Sequence, residues 1–169
     1  IAQRGTSSTS SGYQTVDRFE IGYSVTNESP TQAQVDVASG TTPYSLGFRK
    51  ALKITNGNQT SGAGASNRVT IQYKIESQDI ANSGWNYLSS SSFITLSYWV
   101  KSSVAQNFYN RLKNSDGTSQ AFVIETGSLS ADTWTKVTKT IPGNSNLTFD
   151  NDVELGWNME IAQFVGTDR

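Results

Sequence analysis

The chain has 169 residues, enough for one domain that buries a sizeable core without crosslinks. It contains no Cys and no His, which excludes a disulfide scaffold, a thiolate or His-ligated metal site, a Cys nucleophile and a Ser-His-Asp triad within it. Its 13 basic and 14 acidic residues are dispersed and give a net charge of −1, so no basic patch points to nucleic acid, and no apolar run approaches the roughly 20 residues of a membrane span.

The chain opens on Ile1-Ala2-Gln3-Arg4-Gly5, without Met or the apolar stretch of a signal peptide. It stops at Gly166-Thr167-Asp168-Arg169 directly after an apolar run. Both ends read as cuts from a longer protein, and residues 1–15, rich in Ser, Thr and Gly, read as an N-terminal arm with little to bury. Val16 to Val25 is the first expected strand. After the turn residues Thr26 to Pro30, Gln32 to Val37 alternates weakly, and Phe48 to Thr55 alternates again. Asn56 to Asn67 is Gly-rich and low in hydrophobicity, a mobile loop by composition. Val69, Ile71, Tyr73 and Ile75 then form the apolar side of a clean amphipathic strand.

Ser77 to Asn82 offers one helical turn with Ser77 as its N-cap. The run Phe93 to Ser102 carries the strongest β pattern of all: Ile94, Leu96, Tyr98 and Val100 on one face, Thr95, Ser97, Trp99 and Lys101 on the other. It reads as a central strand. Gln106 to Lys113 and Gln120 to Glu125 follow as the rest of a meander, with a type I′-style turn at Asn114 to Gly117 between them. Asp132-Thr133-Trp134 opens a strand that Pro142-Gly143 stops, and Val153, Leu155, Trp157, Met159 and Ile161 form a last buried face. About nine strands without a substantial helix make an all-β chain, an antiparallel β-sandwich.

Three segments carry a family resemblance: residues 1–19, with Ile1 to Ser7 followed by Gly12 to Phe19; Gln72 to Ile80; and Thr95 to Ser102 with Asp132 to Val137. In this order they resemble a domain of bacteriophage tail-fibre and other virion proteins, especially of marine phages. Thr95 to Ser102 and Asp132 to Val137 also look like core strands of jelly-roll carbohydrate-binding modules. The resemblance spans most of the chain and implies a single jelly-roll domain over 1–169. It implies a place on the virion surface, outside the host cell, in a tail fibre or capsid appendage, and no catalysis.

The candidate ligand residues follow from chemistry. A meander would set Trp99 beside Tyr109 and Ser97 beside Arg111, giving two aromatics and a guanidinium on one surface. Stacking rings and a forked donor suit a sugar, with its C–H faces and hydroxyls. The bland alternative is a cross-strand pair that only stabilises the sheet. Trp85 and Tyr87 lie in a Ser/Asn/Gly loop, either exposed for binding or tucked back on a sheet, whereas Trp134 and Trp157 alternate as core. Asp150 and Asp152 are hard-cation ligand types, and jelly-roll binding modules commonly hold a structural calcium, but the spacing lacks the full Asp-x-Asp-x-Asp-Gly loop and names two side chains at most, so no cofactor is expected. Glu76, Glu125, Glu154 and Glu160 are single carboxylates without the visible pairing of a glycosidase. The expected partner is a glycan or another virion subunit, a second copy of the chain included. The competing reading is a purely structural domain that decorates a capsid or assembles a fibre.

Overall fold

A computed structural model of the chain describes residues 4–60 and 64–168. Among the described residues it is all-β, with antiparallel ladders and ten strands. These are β1 (Ser7–Ser8), β2 (Phe19–Ser24), β3 (Thr31–Asp36), β4 (Lys50–Thr55), β5 (Arg68–Glu76), β6 (Phe93–Val100), β7 (Asn107–Asn114), β8 (Ala121–Ser128), β9 (Thr135–Pro142) and β10 (Leu155–Val165). All nine strands expected from alternation are present, and the two-residue β1 is the addition. Two short helices, α1 (Thr42–Ser45) and α2 (Ser77–Ala81), complete the elements. Among the described residues no helix is long and apolar enough to cross a membrane.

The strands form a five-stranded sheet in the order β2-β5-β10-β7-β8, a three-stranded sheet β1-β3-β4, and a two-stranded sheet β6-β9. The chain divides into two compact units, Ile1–Tyr73 with Ile161–Arg169, and Lys74–Glu160.

In the first unit the N-terminal arm is pinned from Ser7 onward, contrary to its composition. Ser7 and Ser8 pair with Ala33 and Gln32, Gly12 bridges Ile21, and Thr15 and Val16 are buried. The cause is Gln32, which is 1 % exposed. Its side-chain Nε2 donates to the Ser10 carbonyl at 2.8 Å and its Oε1 accepts from the Thr15 hydroxyl at 3.0 Å. A buried amide must be satisfied, and here the arm supplies the partners. The Gly-rich segment is likewise anchored where it is described: the Asn58 N–H donates to Glu28 Oε2 at 2.7 Å, and Asn67 is buried. Residues 61–63 lie outside the described residues. The helix α1, missed by strand periodicity, begins with Pro43 at its first turn, where a missing N–H costs nothing.

The second unit has two layers. Residues Ile94, Leu96, Tyr98 and Val100 of β6 turn inward as expected, but β6 is not central. It pairs with β9, Tyr98 opposite Val137 and Trp99 opposite Lys136. β7 pairs with β8 instead, Tyr109 opposite Glu125 and Arg111 opposite Val123, across a wider connection than a two-residue turn. Asn114, fully buried, closes that connection by donating to the Asp116 carbonyl at 2.7 Å. The layers meet where Asn110 of β7 donates a short hydrogen bond to the Tyr98 hydroxyl of β6.

Ser77 begins α2 rather than capping it; the N-cap is Glu76. Ser77 is fully buried, its N–H donates to the Glu154 carbonyl at 2.9 Å, and its hydroxyl donates to Asp116. This packing requires Gly156, because a Cβ there would stand 2.4 Å from the Ser77 Cα. Backbone cannot give way as a side-chain tip can. Gly156→Ala should therefore cost roughly 1–3 kcal/mol and lower the melting temperature by several degrees, about 2–4 °C per kcal/mol at this size. An unchanged thermal unfolding midpoint would show that the Ser77 contact is not tight.

Candidate functional site

The aromatic residues of the second unit divide into buried and exposed sets. Trp157 is 1 % exposed and lies at the centre of the first. Phe149 stacks on it at 5.1 Å between ring centroids, Phe122 at 6.3 Å, and Trp85 packs at 5.4 Å with a 43° tilt. Tyr87 joins edge-on to Phe149 at 5.0 Å. Of the sequence-derived candidates, Trp85 is thus a core residue and Tyr87 is half-buried against the same cluster, the tucked-back alternative for a loop aromatic. Trp134 is half-buried just before β9, with the Lys101 ammonium 5.6 Å from its ring centre.

The exposed set lies on the outward face of β7, β8 and β10. Along β7, Asn110, Leu112 and Asn114 are buried, so alternation sends Tyr109, Arg111 and Lys113 outward. Along β8, Ile124 is buried and Val123 and Glu125 point outward. Tyr109 is 56 % exposed and Val123 67 %. They are diagonal neighbours, because Tyr109 faces Glu125 and Arg111 faces Val123. The Arg111 guanidinium is fixed by Glu160 of β10: Nη2 donates to both carboxylate oxygens at 3.1 Å. Glu160 is the more covered partner, with side-chain exposure of 12 % against 36 % for Arg111. Glu125 is also engaged, accepting from Asn107 Nδ2 at 3.0 Å.

This face holds an open phenol ring with a guanidinium–carboxylate pair on one flank and an amide–carboxylate pair on the other. Donors, acceptors and an apolar ring are carried by strands, so their spacing is fixed before any ligand arrives. Tyr109 and Arg111 belong to it as the sequence suggested, but Trp99 does not. The pairing of β6 with β9 carries Trp99 into the other layer, where it lies half-buried opposite Lys136. The expected Trp99–Tyr109 platform is corrected to one built on Tyr109 alone. Glu160 and Val123 were missed, because nothing local in a strand tells which distant strand lies beside it.

Asp150 and Asp152 make local bonds. The Asp150 N–H donates to Asp116 Oδ2 at 3.1 Å, and Asp152 Oδ1 accepts from the Glu154 N–H at 3.0 Å. Among the described residues no group of three or more acidic side chains stands close enough to hold a metal ion.

No protein-family model and no curated protein sequence matches the chain. In fold it is similar to a solved structure, the enzymatically active domain of tailspike protein 4 from bacteriophage CBA120, with a TM-score of 0.52 at 10% identity. The match covers 89% of this chain and 18% of that one, so the chain spans a small part of the tailspike's length. At this identity the likeness is one of fold.

Tyr98 ties the layers together and is sensitive to alkali. Burial pushes its hydroxyl up to about 12 from an ordinary 10, and the Asn110 hydrogen bond offsets part of the rise. The unfolded chain loses this proton near pH 10 and the folded chain only near 12, so the folded state holds more protons between them and its stability falls with rising pH. The contribution is whole below pH 10 and lost through pH 12. Urea midpoints measured from pH 9 to 12 should fall more steeply for the wild type than for Tyr98→Phe, and parallel curves would remove Tyr98 as the cause.

Proposed function

We propose that the chain is a non-catalytic jelly-roll domain of a bacteriophage virion, in a tail fibre or capsid appendage, that attaches the particle to a glycan on the host surface. The observation that carries this reading is the exposed Tyr109 ring between two engaged polar pairs, Arg111–Glu160 and Asn107–Glu125. A pyranose offers an apolar C–H face to the ring and hydroxyls to the flanking groups, and immobile partners cost little entropy on binding. The fold likeness to a phage tailspike domain and the sequence resemblance to virion proteins support a phage origin. The absence of His favours binding over catalysis. Glu125 and Glu160 are each already hydrogen-bonded, which suits orientation of a ligand more than proton transfer.

The competing structural reading draws on Val123, 67 % exposed beside Tyr109, since such a patch also suits burial in a contact between virion subunits. One variant separates the two. Tyr109→Ala should weaken binding to a host polysaccharide, of Kd about 10 μM to 1 mM, by roughly tenfold and leave the melting temperature and the mass in solution unchanged. If the variant dissociates an oligomer, the structural reading replaces the glycan reading. If it binds as the wild type does, the Tyr109 face is not the site.

A further inference from the structure

The other edge of β8 faces a cleft. Its volume is about 300 Å³, and it is lined by residues 122–125 of β8 and 139–141 of β9. β8 ends its sheet and β9 belongs to the other layer, so the cleft is where the two layers of the second unit part. It lies at the lower end of the roughly 300–1,000 Å³ of small-ligand sites.

One residue in it carries a charge without an acidic partner among the described residues. On β9, Val137 and Ile141 are each 2 % exposed, so Lys139 between them lies on the same inward face, opposite half-buried Leu96. A lysine stem can lie along apolar surface, but its ammonium needs water or an anion. Among the described residues the Lys139 ammonium makes no ion pair and no side-chain hydrogen bond. Glu125 also lines the cleft, yet it is on the outward face of β8 with an oxygen engaged by Asn107, and no ion pair joins it to Lys139. The cleft therefore combines the Lys139 ammonium with accessible apolar surface of Phe122 and Val123, above the buried Ile124 and Ile141.

We propose that this cleft is a subsite for an acidic sugar residue, whose carboxylate takes Lys139 and whose C–H face lies on the apolar wall. The proposal rests on the reading of the chain as a glycan binder, and it names the class of glycan: an acidic polysaccharide. Val123 and Glu125 of β8 belong both to the Tyr109 face and to the cleft lining, so one saccharide chain can cross the β8 edge and occupy both. A neutral ligand would leave the ammonium as it stands, whereas a carboxylate supplies a partner that the described residues do not.

The test titrates the full chain with hexagalacturonate, its carboxyl-reduced neutral counterpart, and hexaglutamate. The wild type should bind hexagalacturonate about tenfold tighter than the neutral oligosaccharide and hexaglutamate more weakly than hexagalacturonate. Lys139→Met, which keeps the apolar stem, should abolish that preference without weakening the neutral ligand, and Lys139→Arg should retain it. Lys139→Gln replaces the Met variant if the latter does not fold. Tyr109→Ala should weaken both saccharides by the same factor and preserve their ratio, so failure of the Tyr109 face and failure of the cleft give different results. A wild type without the preference, a Met or Gln variant that keeps it, or hexaglutamate bound as tightly as hexagalacturonate would each overturn the proposal, the last by assigning the cleft to acidic peptide.

Discussion

The second unit depends on the burial of Trp157. Three segments distant in sequence each place a ring against it: Trp85 from the loop after α2, Phe122 from β8, and Phe149 from the loop before β10. The indole N–H groups of Trp85 and Trp157 are buried without hydrogen-bond partners among the described residues, which costs about 1–3 kcal/mol each. Burying a ring of roughly 150–250 Å² at about 25 cal/mol per Å² gains ~4–6 kcal/mol. Burial wins, and the loops are held by it although their own composition is that of free segments.

The outward face inherits its order from that core. β7, β8 and β10 cannot slip by one residue without turning Trp157, Leu112 and Ile124 to solvent. The same register therefore fixes Tyr109, Val123, Arg111 and Glu160 outward at set distances. A binding face carried on strands gives up the adaptability of loops and gains preorganisation. The Arg111–Glu160 pair shows this on a small scale, since the guanidinium that would meet a ligand is oriented by a carboxylate more covered than itself.

Polar residues inside the layers give specificity that apolar packing lacks. Gln32 in the first unit and Asn110 and Asn114 in the second are at most 1 % exposed, and each bonds a particular partner. An apolar side chain tolerates several neighbours, whereas a buried amide in the wrong register would lose its hydrogen bonds. Gln32 thus selects the path of the N-terminal arm, and Asn110 selects which strand of the opposite layer lies across from β7. Lys139 is the exception on an inward face, a charge that meets no ion-pair partner among the described residues.

By itself the sequence determined the class of fold and the facing of its strands. Period-two alternation located nine of the ten strands and turned Leu96, Tyr98, Val69 and Trp157 inward, because which face is buried is a property of the strand's own residues. It placed Tyr109 and Arg111 on one outward face for the same reason. Only the tertiary structure decided who stands beside whom. Trp99 and Tyr109 alternate as they would in a hairpin, yet β6 pairs with β9, since the pattern of a strand is the same whichever strand is bonded to it. Trp85 and Tyr87 sit in a polar loop that local propensity leaves free, and their burial depends on Trp157 and Phe149 more than 60 residues away. Partners chosen across such separations are set by the closing of the core as a whole, and no short stretch of the chain encodes them.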